Sequence, residues 1–331
     1  MVTLSSEAIL SSEIQGIRVA GTVDAASLED FFHIGSCGKS VLAMLAGRLI
    51  DQGKLEWSSR LFDILPDLGE GSDPAYVDVS LEDLFLCRAG IAPYTSGEEQ
   101  FPEIDPSAAN PRLEFARYLV SQPPCAEPDA GGGFKHVYSN ASYTMASLML
   151  ERASGQNWES LVAALADDLR ISIRFGWPNE TGESQPWGHG LGDDGKQRPF
   201  PPGDPYRLSP LIAPAGDLSM PPVDYARYVQ LQLQGLLGRD NYLRSSTYRH
   251  IHLGHRGFSI GVGNGKYYGK LVSQFDGSAG TFYCHSIIVH DANFAYVVLA
   301  NTGTPKAVAE IYKLSVQIAK QHFRWWWKLW L

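Results

Sequence analysis

Long apolar runs are missing from this 331-residue chain: no stretch approaches the roughly 18 consecutive apolar residues that crossing a bilayer requires. The opening segment, MVTLSSEAILSSEIQG, lacks the basic start and apolar centre of a secretory leader, so none is expected. Basic tracts are missing too. With 27 Lys and Arg against 36 Asp and Glu the net charge is −9, which argues against a nucleic-acid partner. Cysteine is scarce, and the four present, Cys37, Cys87, Cys125 and Cys284, are scattered without metal-ligand spacing. That usage fits a reduced compartment, and the cytoplasm is the expected location. No low-complexity tract and no internal repeat breaks the chain. What is there, 44% hydrophobic and 19% charged residues, suits a protein that buries a large core in one big domain or two intimate ones.

Periodicity places four helices. Residues 36–52 carry Val41, Leu42, Leu45 and Leu49 at three-and-four spacing before Gly53; a second helix spans 140–152, capped by Ser139 or Asn140 and stopped by Gly155. Two more are expected over 223–234 and 305–322. Between 257 and 300 the texture changes to GFSIGVG, YYGKLVSQF, TFYCHSIIV and FAYVVLA, which predicts an antiparallel meander, with residues 16–22 adding an edge strand. The expected architecture is α+β. Residues 1–35 and 250–331 form a sheet lobe, and 36–249 a mainly helical lobe. Within the latter, 176–210 holds seven Gly and seven Pro and predicts an irregular cover rather than regular structure.

Three stretches could carry chemistry. FHIGSCGKSV, residues 32–41, ends like a phosphate loop, but His33 stands where the first glycine of that motif belongs and no buried strand precedes it. HIHLGH sets His250, His252 and His255 at the spacing of a zinc-binding histidine run, with Gly254 in the aspartate position; the expectation is structural histidines and no metal or other cofactor. Ser36 and Lys39, three apart at the start of a helix, share one face, so the amine can reach the hydroxyl as its base. Taken alone, that pair reads equally as a helix cap and a solvated lysine.

Two further segments change its weight: Tyr138-Ser139-Asn140 at the start of the second helix, and DGSAG, residues 276–280, between two expected strands. In this order the three segments resemble the S-x-x-K, Y-x-N and K-T-G or H-x-G boxes of the serine β-lactamase and penicillin-binding-protein superfamily. The flanks FHIGSCGKS, LAGRLIDQGKLEW, VSLEDLFLCRAGI, YSNASYTMASLMLERASGQNWESL, QPWGH and LIAPAGDLSMPPVDYARYVQL are similar to its class-C-type esterases, and the resemblance spans about residues 30 to 303. It implies a β-lactamase-like fold, an antiparallel sheet flanked by N- and C-terminal helices plus a mainly helical lobe. It also implies roles: Ser36 as nucleophile, Lys39 as its base, Tyr138 as proton shuttle, Asn140 on substrate and lysine, and the backbone N–H groups of Ser36 and Ser278 as oxyanion hole.

The sequence departs from the pattern where the third box has Lys or His, for here stands Phe275, followed by Asp276. A β-lactam carboxylate would want the missing cation. An apolar, nearly neutral pocket lined by Phe275, Asp276 and, from the 176–210 cover, Trp187 and His189 points instead to an ester, thioester or lactone of a hydrophobic small molecule. The reaction is hydrolysis or acyl transfer, in keeping with a biosynthetic or tailoring role. The reading from another class is a fold that keeps the boxes without acyl chemistry, as a non-hydrolytic enzyme or binding protein. The final RWWWKLWL, residues 324–331, suits weak contact with a membrane surface, and packing against the protein or a partner chain is the favoured expectation.

Overall fold

The computed structural model describes residues 1–95, 99–105, 107–180, 184–192, 195–267 and 269–323, so the RWWWKLWL tail lies outside the described residues. The strands are β1 (Val2–Leu4), β2 (Ile9–Ser12), β3 (Phe32–His33), β4 (Arg174–Phe175), β5 (Gly188–Leu191), β6 (Gln197–Phe200), β7 (Leu218–Met220), β8 (Gly263–Tyr267), β9 (Lys270–Ser278), β10 (Tyr283–Val289) and β11 (Phe294–Ala300). The helices are α1 (Gly38–Asp51), α2 (Leu61–Ile64), α3 (Leu81–Phe85), α4 (Pro111–Ser121), α5 (Asn140–Ser154), α6 (Trp158–Leu169), α7 (Pro222–Leu236), α8 (Ser245–Leu253) and α9 (Pro305–Phe323).

The main sheet is antiparallel, in the order β2-β1-β11-β10-β9-β8, so strands from both ends of the chain meet at its centre. Alternation along β11 explains why. Ala295 and Val297 join the large core with α1, α5 and α7, while Phe294, Tyr296 and Val298 point the other way, onto Ile311 and Ile318 of α9. A strand covered on both faces reads as a continuous apolar run, which is what FAYVVLA is. On the other side of the sheet α1 is buried nearly all round, from Val41 to Leu45, which suits a central helix rather than a surface one. Among the described helices none is long and apolar enough to cross a membrane.

Two expectations fail locally. Residues 16–22 form no strand; Ile17 makes only an isolated bridge to Ala25, and the sheet positions go to β1 and β2. Val2 and Leu4 are wholly buried, whereas Ile17 and Val23 are exposed, so apolar burial selects the earlier segment. The Gly/Pro-rich 176–210 region does contain regular structure, the β5–β6 hairpin. Its glycines are what permit it: a side chain at Gly188 would strike Thr281, and one at Gly190 would press on Phe200.

Candidate active site

The turn that carries Ser36 is built from close backbone contacts. Ser36 lies in a short 3-10 turn, Gly35–Cys37, that runs into α1. Gly35 adopts φ +51°, and a Cβ there would sit 2.5 Å from Ser278 N, so glycine is required on both counts. His33 fixes the turn from behind. Gly35 N–H donates to His33 Nδ1 at 3.2 Å, which leaves the proton on Nε2 to donate to Asp217 Oδ1 at 3.0 Å. The imidazole is buried against Trp177, ring centroids 4.3 Å apart. The residue that spoils the phosphate-loop motif therefore holds the loop that carries Ser36.

Lys39 is 1% exposed, and its amine meets three oxygens: Ser36 Oγ at 3.3 Å, Asn140 Oδ1 at 2.6 Å and Ala215 O at 3.1 Å. Rings cover the rest, with Tyr138 and Tyr143 centroids 4.7 and 5.0 Å from Nζ. Asn140 can present only its oxygen to the amine because its Nδ2 donates to Tyr94 O at 2.9 Å. The Tyr138-Ser139-Asn140 segment is pinned from the Cys87-Arg88-Ala89-Gly90 loop. Val137 N–H donates to Cys87 O, Ser139 N–H reaches Cys87 Sγ at 3.4 Å, and Ser139 Oγ donates to Ala92 O while capping α5 through Ser142 N. Burial pushes the Cys87 thiol up to about 11, which keeps it protonated and inert in this role.

Strand β9 lays Gly277 and Ser278 against the nucleophile turn. A Cβ at Gly277 would collide with Ile34 O and lie 2.8 Å from Cys37 N, so only glycine lets β9 lie this close to the turn that carries Ser36. The Ser278 side chain is turned away, donating to Phe282 O at 3.1 Å and accepting from Gly280 N at 3.0 Å.

A cavity of about 430 Å³ opens over these groups, with Ser36, Lys39, Tyr138, Phe258, Phe275 and Asp276 in its wall. Phe258, which the sequence reading passed over, packs edge-on to Tyr138 at 5.9 Å. Phe275 does stand in the wall, though 97% of it is buried, its edge against His252. The Asp276 carboxylate is spent internally. It accepts from Tyr283 Oη at 2.7 Å, His285 Nδ1 at 2.8 Å, Tyr312 Oη at 3.2 Å and from Gln274. Burial raises its affinity for a proton, but the His285 contact and the other donors outweigh this and hold it below the usual carboxylate range. The wall is less neutral than Phe275 alone implied, because Lys266 of β8 also borders it.

Two expected substrate contacts are elsewhere. Trp187 and His189 do not line this cavity. His189 is buried and fully engaged: its N–H donates to Thr281 O, its Nδ1 lies 2.7 Å from Asn301 O, and its Nε2 accepts from Ala20 N–H at 3.0 Å. Trp187 N–H donates to Arg18 O. Both serve to tie the β5–β6 hairpin to backbone from the two ends of the chain. Of the histidine run, His252 faces the core between Ser273 and Gln232, while His250 and His255 reach Glu82.

Fold and site together are those of a serine hydrolase. A profile of the beta-lactamase family matches residues 17–320, and the chain belongs to that family. Solved structures agree in fold. The octameric penicillin-binding protein homologue from Pyrococcus abyssi superposes with a TM-score of 0.76 at 18% identity, covering 96% of this chain and 72% of the other. The penicillin binding protein from Bacillus halodurans gives 0.71 at 17%, covering 95% and 94%. A class C beta lactamase from Rhodobacter sphaeroides gives 0.71 at 16%, covering 96% and 93%.

Proposed function

We propose that the protein is an esterase or acyltransferase that works through a Ser36 acyl-enzyme on an ester, thioester or lactone of a hydrophobic small molecule. The observation that carries this reading is the buried Lys39 amine, 3.3 Å from Ser36 Oγ and anchored on its other side by Asn140 Oδ1 and Ala215 O. Two of the amine's contacts go to those anchors, and the third is directed at the serine hydroxyl. Ser36 Oγ attacks the carbonyl carbon as its proton passes to Lys39. The oxyanion that forms is received by the N–H groups of Ser36 and Ser278. Collapse expels the alcohol or thiol, protonated by Tyr138, and leaves the acyl group on Ser36. Water, an alcohol or an amine then attacks that ester, its proton passing to Tyr138, and the second collapse breaks the bond to Ser36 Oγ, which takes its proton back from Lys39. Phe258, Phe275 and the Tyr138 ring in the cavity wall support an apolar substrate, and the Asp276 carboxylate beside them is taken up by Tyr283 and His285 rather than left to face it.

The test is covalent labelling. A fluorophosphonate probe is expected to mark the wild-type protein at Ser36 and to leave Ser36→Ala unmarked, with p-nitrophenyl ester turnover lost in the same variant. A folded wild type that neither labels nor turns over ester would remove the acyl-enzyme and favour the non-acylating alternative.

A further inference from the structure

The HIHLGH run divides in the structure. His252 points inward, but the other two imidazoles converge on one carboxylate oxygen, with His250 Nε2 at 2.8 Å and His255 Nε2 at 3.0 Å from Glu82 Oε1. The three ligand atoms lie within 4.8 Å of one another. They come from α3, from α8 and from the loop that follows α8, so the convergence is tertiary and not an accident of one helix's spacing. We propose that Glu82, His250 and His255 form a binding site for a divalent transition metal of the zinc class, which clamps the loop framing the Ser36 cavity.

The donor set fits. Two imidazole nitrogens and one carboxylate oxygen suit a borderline ion such as Zn²⁺, whose bonds to such atoms run about 2.0–2.2 Å and set ligands roughly 3.3 Å apart on a tetrahedron. The two imidazole–carboxylate separations, 2.8 and 3.0 Å, therefore need to widen by only a few tenths of an ångström, and the two imidazole nitrogens already lie within 4.8 Å of each other. Each imidazole now donates Nε2–H to Glu82; on binding, each shifts its proton to Nδ1 and turns the Nε2 lone pair to the ion. The side chains are 27 to 38% exposed, which gives the ion a route in and a water its fourth position. Trp57 stacks on His250 at 5.3 Å and restricts its ring. Behind the site, Asn264 Nδ2 donates to both His252 O and His255 O, and Asn264 Oδ1 accepts from Gly257 N–H. Gly257, Phe258, Gly261 and Asn264 all border the cavity, so an ion at His255 restrains the wall that faces Ser36.

The test uses the full chain stripped with chelator and titrated with Zn²⁺ alone. One equivalent is expected to bind, with affinity reduced at least tenfold in Glu82→Gln and in His255→Gln, and unchanged in His136→Gln, an exposed histidine outside the cluster. Lowering the pH from 7.5 to 5.5 is expected to weaken binding at least tenfold as protons compete for the imidazoles. Amide exchange in residues 255–264 should slow on saturation. Circular dichroism checks that the variants are folded. Failure of the wild type to bind, or binding that the Glu82 and His255 variants leave untouched, overturns the site; binding without slowed exchange overturns the clamp. These readouts are independent of acyl chemistry at Ser36.

Discussion

A single methyl group placed at Gly277 tests the oxyanion arrangement more sharply than removing any side chain. In Gly277→Ala the new Cβ meets Ile34 O and Cys37 N, both backbone atoms of the turn that carries Ser36, so no side-chain rotation relieves it. Strand β9 must back away. The Ser278 N–H moves with it, because 277 and 278 are one peptide apart, while Lys39, Asn140 and Ser36 Oγ keep their mutual contacts through α1 and α5. Loss of one oxyanion donor typically slows acyl transfer by ~100- to 1,000-fold. Overpacking of this kind destabilises by about 1–3 kcal/mol, small enough for a folded variant. The comparison variant is Ser278→Ala. It keeps the backbone N–H and loses only the hydroxyl bonds to Phe282 O and Gly280 N, for which about 1 kcal/mol each is a fair scale. The assay is the second-order rate of fluorophosphonate labelling with thermal melting alongside: Gly277→Ala should label at least 100-fold more slowly, and Ser278→Ala within a few-fold of wild type. If folded Gly277→Ala labels at the wild-type rate, or if Ser278→Ala is the slower of the two, the assignment of the Ser278 backbone to the oxyanion hole is wrong.

Other expectations follow from buried partners. Lys39→Met removes the base and leaves Asn140 Oδ1 and Ala215 O without their donor; labelling should fall ~100- to 10,000-fold while near-ultraviolet dichroism shows a folded protein, and unchanged labelling would exclude Lys39 as base. Asp217→Ala strands the buried His33 Nε2–H and should lower stability by about 1–3 kcal/mol in denaturant titration, with no change refuting the His33–Asp217 brace. Burial holds His290 down to about 4, with Asp291 raising and Arg249 lowering it, and holds His252, which shares Ser273 with it, down to about 3. Unfolded imidazoles titrate near 6.5, so as pH falls from there toward 4 the unfolded chain takes up protons that the native state refuses. Stability should then drop by ~1.4 kcal/mol per pH unit for each histidine. His290→Gln should roughly halve that slope in melts between pH 6.5 and 4.5, and a wild-type stability independent of pH would contradict the burial argument.

Much of this was legible in the sequence because the chemistry uses short local spacings. Ser36 and Lys39 share a helix face, Tyr138 and Asn140 flank a cap, and β11 announces its burial by an unbroken apolar run. What stayed hidden depends on contacts between distant segments. Nothing local marks the glycines at 35 and 277 as a pair; only the fold shows that Gly35 makes room for the backbone of Gly277 and Ser278, and Gly277 for that of Ile34 and Cys37. His33 looked like a defect in a phosphate loop, and no local signal linked it to Asp217, which lies 184 residues away. Trp187 and His189 were assigned to the pocket by residue type alone, an argument that cannot tell a ring facing a substrate from one bonded to backbone. The β-branched residues of 16–22 suggest an edge strand, but nothing local shows which apolar side chains the sheet will cover, and it covers Val2 and Leu4.

The pairing of Val2 with Val297 has a consequence in time. On the ribosome the strand that lays Ser278 beside Ser36 arrives 242 residues after it (278 − 36), and the central β11 partner of β1 later still. At ~5–20 residues per second this is a wait of roughly 12 to 48 seconds. During it β1 has no β11 to pair with and the wall beside the nucleophile is missing. Until then Ser36 lacks the backbone of Gly277 and Ser278 beside it, and the same stroke that closes the sheet completes the surroundings of the serine.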